Sequence, residues 1–155
     1  MRGDKQVVDY LNRLLAAELA AVDQYFVHSR MYQNWGLSKL EARISHEMQD
    51  ELGHADLLIK RILFLEATPV TGTRTLTKIG RDVEEMLKND LDLEFEVAGL
   101  LKEAMAHCEK TGDYQTRAML QTILTDTEED HILWLQTQLG LIGKIGLQNY
   151  QQAMM

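Results

Sequence analysis

Only one stretch of this chain reads as irregular. It is ATPVTGTRTLTKIG, residues 67–80, rich in Thr, Gly and Pro. The sequence on either side is written almost entirely in the period of a helix. Apolar residues at Leu11, Leu15, Val22 and Tyr25 keep helical spacing until NWG breaks the run at Gly36. In the SKLE that follows, Ser38 and Glu41 form a capping-box pattern, and a second helix is expected to about Glu66. That helix is roughly 28 residues, or about 42 Å, long. DVEE repeats the capping pattern with Asp82 and Glu85 and opens a third helix, which stops at KTGD, where Gly112 suits a C-cap. Asp113 starts a fourth helix ending near Gly140, and LQNYQQAMM makes a short fifth. The expected spans are 5–35, 39–66, 82–111, 114–139 and 147–152, within one domain covering 1–155. Short connections make helices one and two, and three and four, antiparallel neighbours, while the long middle connection can cross the whole bundle. The fold class is therefore all-α: a four-helix bundle with one long crossover and a short C-terminal helix.

Composition agrees. A 155-residue chain is the size of one ordinary domain, and a single Pro and three Phe leave little to favour strand. The net charge of −8 speaks against nucleic acid as a partner and suits a cationic one, a metal ion included. The opening MRGDKQVVDYLNRLL carries charges and no uninterrupted apolar segment, so neither a signal peptide nor a membrane span is expected. Cys108 is the only cysteine, so no internal disulfide can form, which fits a reducing cytoplasm. It reads as a packed or surface thiol.

The inward stripes hold the chemistry. The first helix gives Leu11, Leu15, Glu18, Val22, Tyr25, and the third gives Leu87, Leu91, Glu94, Ala98, Leu101. In both, a glutamate takes a central apolar slot. The second helix gives Ile44, Met48, Glu51, Ala55, Leu58, Ile62 with His54 beside Glu51, and the fourth gives Leu120, Leu124, Glu128, His131, Leu135. Two helices thus bring one inward Glu each, and the other two bring a Glu-x-x-His pair. Buried ionised carboxylates are costly unless paired or bound to metal. Two divalent cations, +4 in all, balance four carboxylates, and Glu and His three apart on a helix can hold one ion between them. Oxygen and imidazole donors suit iron or manganese. With thirteen Glu and five His, about 0.4 Glu-x-x-His pairs are expected by chance (13 × 5/155), so one match means little. Two matches on alternate helices, with single glutamates on the other stripes, are specific. The same pattern is known from ferritin-like di-iron proteins.

Longer stretches carry a resemblance to bacterioferritin, within the ferritin-like superfamily: GDKQVVDYLNRLLAAELAAVDQYF, HSRMYQNWGL, RILFLE, DVEEMLKNDL and DTEEDHILWLQTQLGLIGKIGLQNY. The resemblance implies two iron ions per subunit on Glu18, Glu51, His54, Glu94, Glu128 and His131. Glu51 and Glu128 would bridge the irons, Glu18 and Glu94 would be terminal, and each histidine would bind one iron. It implies a cytoplasmic hollow shell of 24 subunits that oxidises Fe2+ with O2 or H2O2 and stores the ferric mineral. Haem in such shells is held by a methionine directly after the bridging glutamate of the second helix; here that position is Leu52. Haem b is therefore not expected in a homomer, and a mixed shell with a haem-ligating sister subunit stays open, as does a ferredoxin as partner for iron release. Met48, one turn earlier, reads as core packing. Tyr25, His46 and Asp50 are accessory candidates near the irons, against plain readings as a core tyrosine and a solvated pair. His28 and His107 show no partner in the sequence. Two rival functions remain on the same bundle. One is another di-metal oxidase or peroxidase, against which the single cysteine leaves no four-cysteine iron site; the other is a structural subunit of a mixed shell.

Overall fold

The computed structural model describes residues 1–72 and 74–155; Thr73, inside the expected loop, lies outside the described residues. Four long rods run as α1 (Lys5–Asn34), α2 (Ser38–Phe64), α3 (Val83–Thr111) and a composite fourth. The fourth comprises α4 (Tyr114–Thr125), a π-helical segment (Asp126–Ile132) and α5 (Leu133–Ile145), and α6 (Leu147–Ala153) follows. The backbone stays right-handed helical through both joints of the fourth rod, so it is continuous. No strand occurs among the described residues, and no described helix is long and apolar enough to cross a membrane.

The helix ends follow from local chemistry. Asp4 caps α1 by accepting from the N–H groups of Gln6 and Val7, and Asp113 caps α4 by accepting from Thr116. Gly112 ends α3 with φ 76°, a left-handed conformation that costs glycine nothing. Three expectations are corrected. The Ser38–Glu41 capping box does not form: Leu37 is the N-cap of α2, and Glu41 instead accepts from the Ser45 hydroxyl at 3.0 Å. Asp82 does cap α3, but Glu85 reaches back to the N–H of Arg81 rather than of Asp82. The fourth rod does not stop at 139–140. It runs through Gly140 and Gly143 to Ile145, because Leu135, Gln138 and Ile142 keep it packed, and it stops where Gly146 takes φ 82°.

The crossover explains the topology. The Val70 N–H donates to Asn12 Oδ1 (2.8 Å), Arg74 pairs with Asp23 (2.5 Å), and the Lys78 N–H donates to Gln24 Oε1 (3.0 Å). The Gly80 N–H then donates to His28 Nε2 (3.1 Å). These anchors climb α1 in order, so the strap runs about 24 Å along it (Asn12 to His28 at 1.5 Å per residue) and delivers α3 to the far end. Helices α2 and α3 are therefore parallel, and each is antiparallel to the helix it is joined to by a short turn. His28 is buried and sits between the strap and Asp90 of α3 (2.8 Å), and Asp90 also accepts from Gln24 (2.8 Å).

The apolar core is split in two. One cluster gathers Leu11, Leu15, Leu58, Ile62, Leu101 and Ile123; the other gathers Tyr25, Ile44, Met48, Leu87 and Leu135. Between them lies a buried polar layer.

Candidate metal centre

Each rod puts charge into that layer. Glu18 comes from α1, Glu51 and His54 from α2, Glu94 from α3 and His131 from the π segment, all at most 4% exposed. Helical spacing alone would have filled these slots with apolar residues.

Two donor groups share one residue. Glu18, Glu51 and His54 bring ligand atoms within 4.8 Å of one another, and so do Glu51, Glu94 and His131. His54 Nδ1 lies 3.3 Å from Glu18 Oε2 and 3.4 Å from Glu51 Oε2. His131 Nδ1 lies 3.0 Å from Glu51 Oε1 and 3.3 Å from Glu94 Oε1. Glu51 thus reaches both groups with one oxygen each. The two imidazoles are stacked at 6.0 Å between centroids.

The other ring nitrogens are also engaged. His54 Nε2 meets Asp126 Oδ2 at 2.9 Å; His131 Nε2 meets Asp50 Oδ2 at 3.1 Å and Glu47 Oε2 at 2.5 Å. Carboxylates at Nε2 hold the proton there once a ring is neutral, which then leaves its Nδ1 lone pair for a metal.

The electrostatics of the layer follow from burial and from the closeness of its charges. Glu94 is pushed up to about 8 by burial and by the neighbouring Glu51 carboxylate. Burial works the same way on Glu51, but hydrogen bonds from His131 and His54 outweigh it and hold its carboxyl below the usual range. Burial disfavours charge on both histidines, yet the carboxylates around them lift both above the ordinary imidazole range. Burial and the Glu94 charge keep Tyr25 protonated, and its hydroxyl donates to Glu94 Oε1. In this layer a proton and a metal cation compete for the same groups. Among the described residues, Glu18 Oε1 is buried with no hydrogen-bond partner, and Glu51 Oε1 is buried with only His131 Nδ1 beside it. Buried carboxylate oxygens beside imidazole nitrogens are the donor set that iron or manganese fits.

Glu128 does not join this cluster. It pairs with Lys102 Nζ at 2.8 Å, and its side chain is 41% exposed. The cause is the π segment: i→i+5 bonding takes more residues per turn than an α-helix. Thr127, four before His131, therefore takes the inward slot instead, fully buried with its hydroxyl on Ile123 O. Among the accessory candidates, Asp50 and Tyr25 touch the cluster, while His46 is mostly exposed and 3.6 Å from Asp50. Leu52 is exposed and Met48 buried in the core.

The sequence reading missed Glu47, Asp126 and Asp130. A signal existed for the first: Glu47, Asp50, Glu51 and His54 fall at i, i+3, i+4 and i+7, one face of α2. Nothing in the sequence announced the register of the π segment.

A bundle whose four rods aim carboxylates and imidazoles at one buried layer is a ferritin-like helical bundle with the donors for a di-metal centre. The comparisons specify the family. The ferritin-like domain profile matches residues 8–145, and the chain belongs to the ferritin family. It is 61% identical over 155 residues to a bacterial ferritin of Synechocystis sp., covering 100% of this chain and 99% of that one. It is 60% identical over 154 residues to a bacterial ferritin of Paramagnetospirillum magnetotacticum, covering 99% of this chain and 94% of that one. A bacterioferritin of Brucella melitensis is 40% identical over 152 residues, with 98% and 94% covered.

Proposed function

We propose that the chain is an iron-storage subunit that oxidises Fe2+ at its buried centre and passes Fe3+ to a mineral. The observation that carries this reading is the pair of donor groups joined through Glu51, with Glu18 Oε1 buried and unpartnered. Iron is the substrate. Glu18 and His54 hold one ion, Glu94 and His131 the other, and Glu51 spans both. Two Fe2+ give one electron each to O2, which with two protons leaves as H2O2; with H2O2 as oxidant, two electrons and two protons give two waters. Holding both ions at one site lets a two-electron acceptor be reduced without release of a one-electron radical.

The chain's own residues set up this reaction. Asp126, Asp50 and Glu47 fix the imidazole tautomers, and Tyr25 steadies Glu94. Glu128 is the sixth ligand once it leaves Lys102. Three carboxylates give −3 against +4 for two ferrous ions, so the fourth carboxylate completes charge balance as the ions enter. Oxidation to +6 then overshoots that balance, which favours departure of ferric iron or capture of hydroxide. The remaining parts of the reading are a shell of 24 chains, no haem on Leu52 in a homomer, and a ferredoxin as reductant for release.

Anaerobic titration of the metal-free protein with Fe2+, followed by air, tests the proposal. Saturation near two ions per chain, fast oxidation and a growing mineral are expected. Absence of tight binding, or peroxide turnover with no accumulation of iron, would remove the storage reading.

A further inference from the structure

A third group of metal-ligand type lies beside the first two: Glu47, Asp50, Asp130 and His131, with ligand atoms within 4.8 Å of one another. His131 faces it with Nε2, the nitrogen that carries the proton when Nδ1 is a ligand, so it does not serve both groups. What remains is three carboxylates, a hard oxygen set of the kind that takes Mn2+, Mg2+ or Fe2+. Glu47 is 3% exposed. Its Oε2 is buried 2.5 Å from His131 Nε2, and no partner other than that imidazole reaches it.

A cation already sits there. Arg43 donates from Nε to Glu47 Oε1 at 2.6 Å and from Nη2 to Asp130 Oδ1 at 2.7 Å. Its guanidinium lies over the Trp134 ring, 4.9 Å from the centroid, with the side chain only 26% exposed. It touches two of the three carboxylates, and a guanidinium cannot lose its charge to make room. A divalent ion could enter only by pushing it off both carboxylates and off the indole.

We propose that Arg43 is a built-in counter-cation that keeps the Glu47–Asp50–Asp130 group from taking a third divalent ion. This rests on the proposed function only in taking the other two groups as the working centre. Arg43 thereby confines tight binding to the pair of positions joined by Glu51.

Equilibrium dialysis of the metal-free protein against Mn2+ under anaerobic conditions tests this, since Mn2+ fills oxygen sites there without forming a mineral. Arg43→Met keeps an unbranched apolar stem against Trp134 while removing the charge. It is expected to bind one Mn2+ per chain more than wild type. Adding Asp130→Asn to Arg43→Met should remove the extra ion, and Arg43→Lys, which keeps the charge, should stay at the wild-type count. Equal counts in wild type and a helical Arg43→Met protein overturn the proposal; so does a wild type that already holds an ion lost on Asp130→Asn alone. Because the readout is a difference, a wild type that binds no ion at its centre refutes the proposed function and leaves the Arg43 comparison readable.

Discussion

Loading the centre must expel protons, and the structure says how many come from one residue. Glu94 is held at about 8 by burial and by Glu51, so at pH 7 it is roughly nine-tenths protonated in the metal-free fold. A carboxylate bound to a metal has lost that proton. Below pH 8, the Glu94 contribution alone should weaken binding about tenfold per pH unit, or about 1.4 kcal/mol. The sign follows from the raised value: protons compete more strongly as pH falls, and this dependence flattens above pH 8, where Glu94 is already ionised. Protons on His54 and His131 act in the same direction, since both are held above the ordinary imidazole range. The assay is anaerobic titration with Co2+ at pH 6, 7 and 8, with released protons followed by an indicator dye. Wild type should release close to one proton from Glu94 at pH 7, and Glu94→Gln should release about one fewer than wild type. Affinity that stays flat from pH 6 to 8, or loading without proton release, would refute the competition between proton and metal at Glu94.

Glu51→Ala, which removes the oxygens shared by both groups, should slow ferrous oxidation by at least about 100-fold with helicity unchanged, and Glu128→Ala should also abolish rapid oxidation; near wild-type initial rates in both variants would sink the assignment. Lys102→Met frees Glu128 from an exposed ion pair worth at most about 1 kcal/mol, so Co2+ binding should tighten by up to about fivefold, read by the same titration. Asp126→Asn loosens the hold on His54 Nε2 and should weaken binding by about 10- to 100-fold, with the ion paired to His54 affected first. Leu58→Ala leaves a cavity in a fully buried slot and should cost about 2–5 kcal/mol in urea unfolding of the metal-free chain.

The stripes that carry the centre were legible because helix period is a local property. Glu18, Glu51, His54 and Glu94 fall on the same faces as Leu15, Leu58 and Leu101, and α-helical geometry turns them inward together. Glu128 escaped that logic. Whether Thr127 or Glu128 faces inward depends on a change from α to π bonding over Asp126–Ile132, a register set by packing against the other rods. His28 looked unpartnered because its partners, Asp90 and Gly80, are 62 and 52 positions away in sequence. Glu47 was within reach, since it shares a face of α2 with Glu51 and His54, but the Glu-x-x-His spacing ends the search one turn too early. The end of the fourth rod was misplaced for a related reason: Gly140 is a stop signal in isolation and a tolerated helix residue once Leu135 and Ile142 are packed.

The strap along α1 has a consequence for how such a chain can vary. Three of its anchors are its own backbone N–H groups, at Val70, Lys78 and Gly80, received by Asn12, Gln24 and His28. Every residue but proline offers the same N–H. The path of the crossover is therefore written in the helix beneath it, and the exposed side chains of the strap's described residues are left free to drift, apart from Arg74, which pairs with α1, and Gly80, where a Cβ would meet the Met86 backbone at 2.6 Å. Mutational tolerance should be uneven across this contact, broad at the exposed strap positions and narrow at Gly80, Gln24 and His28.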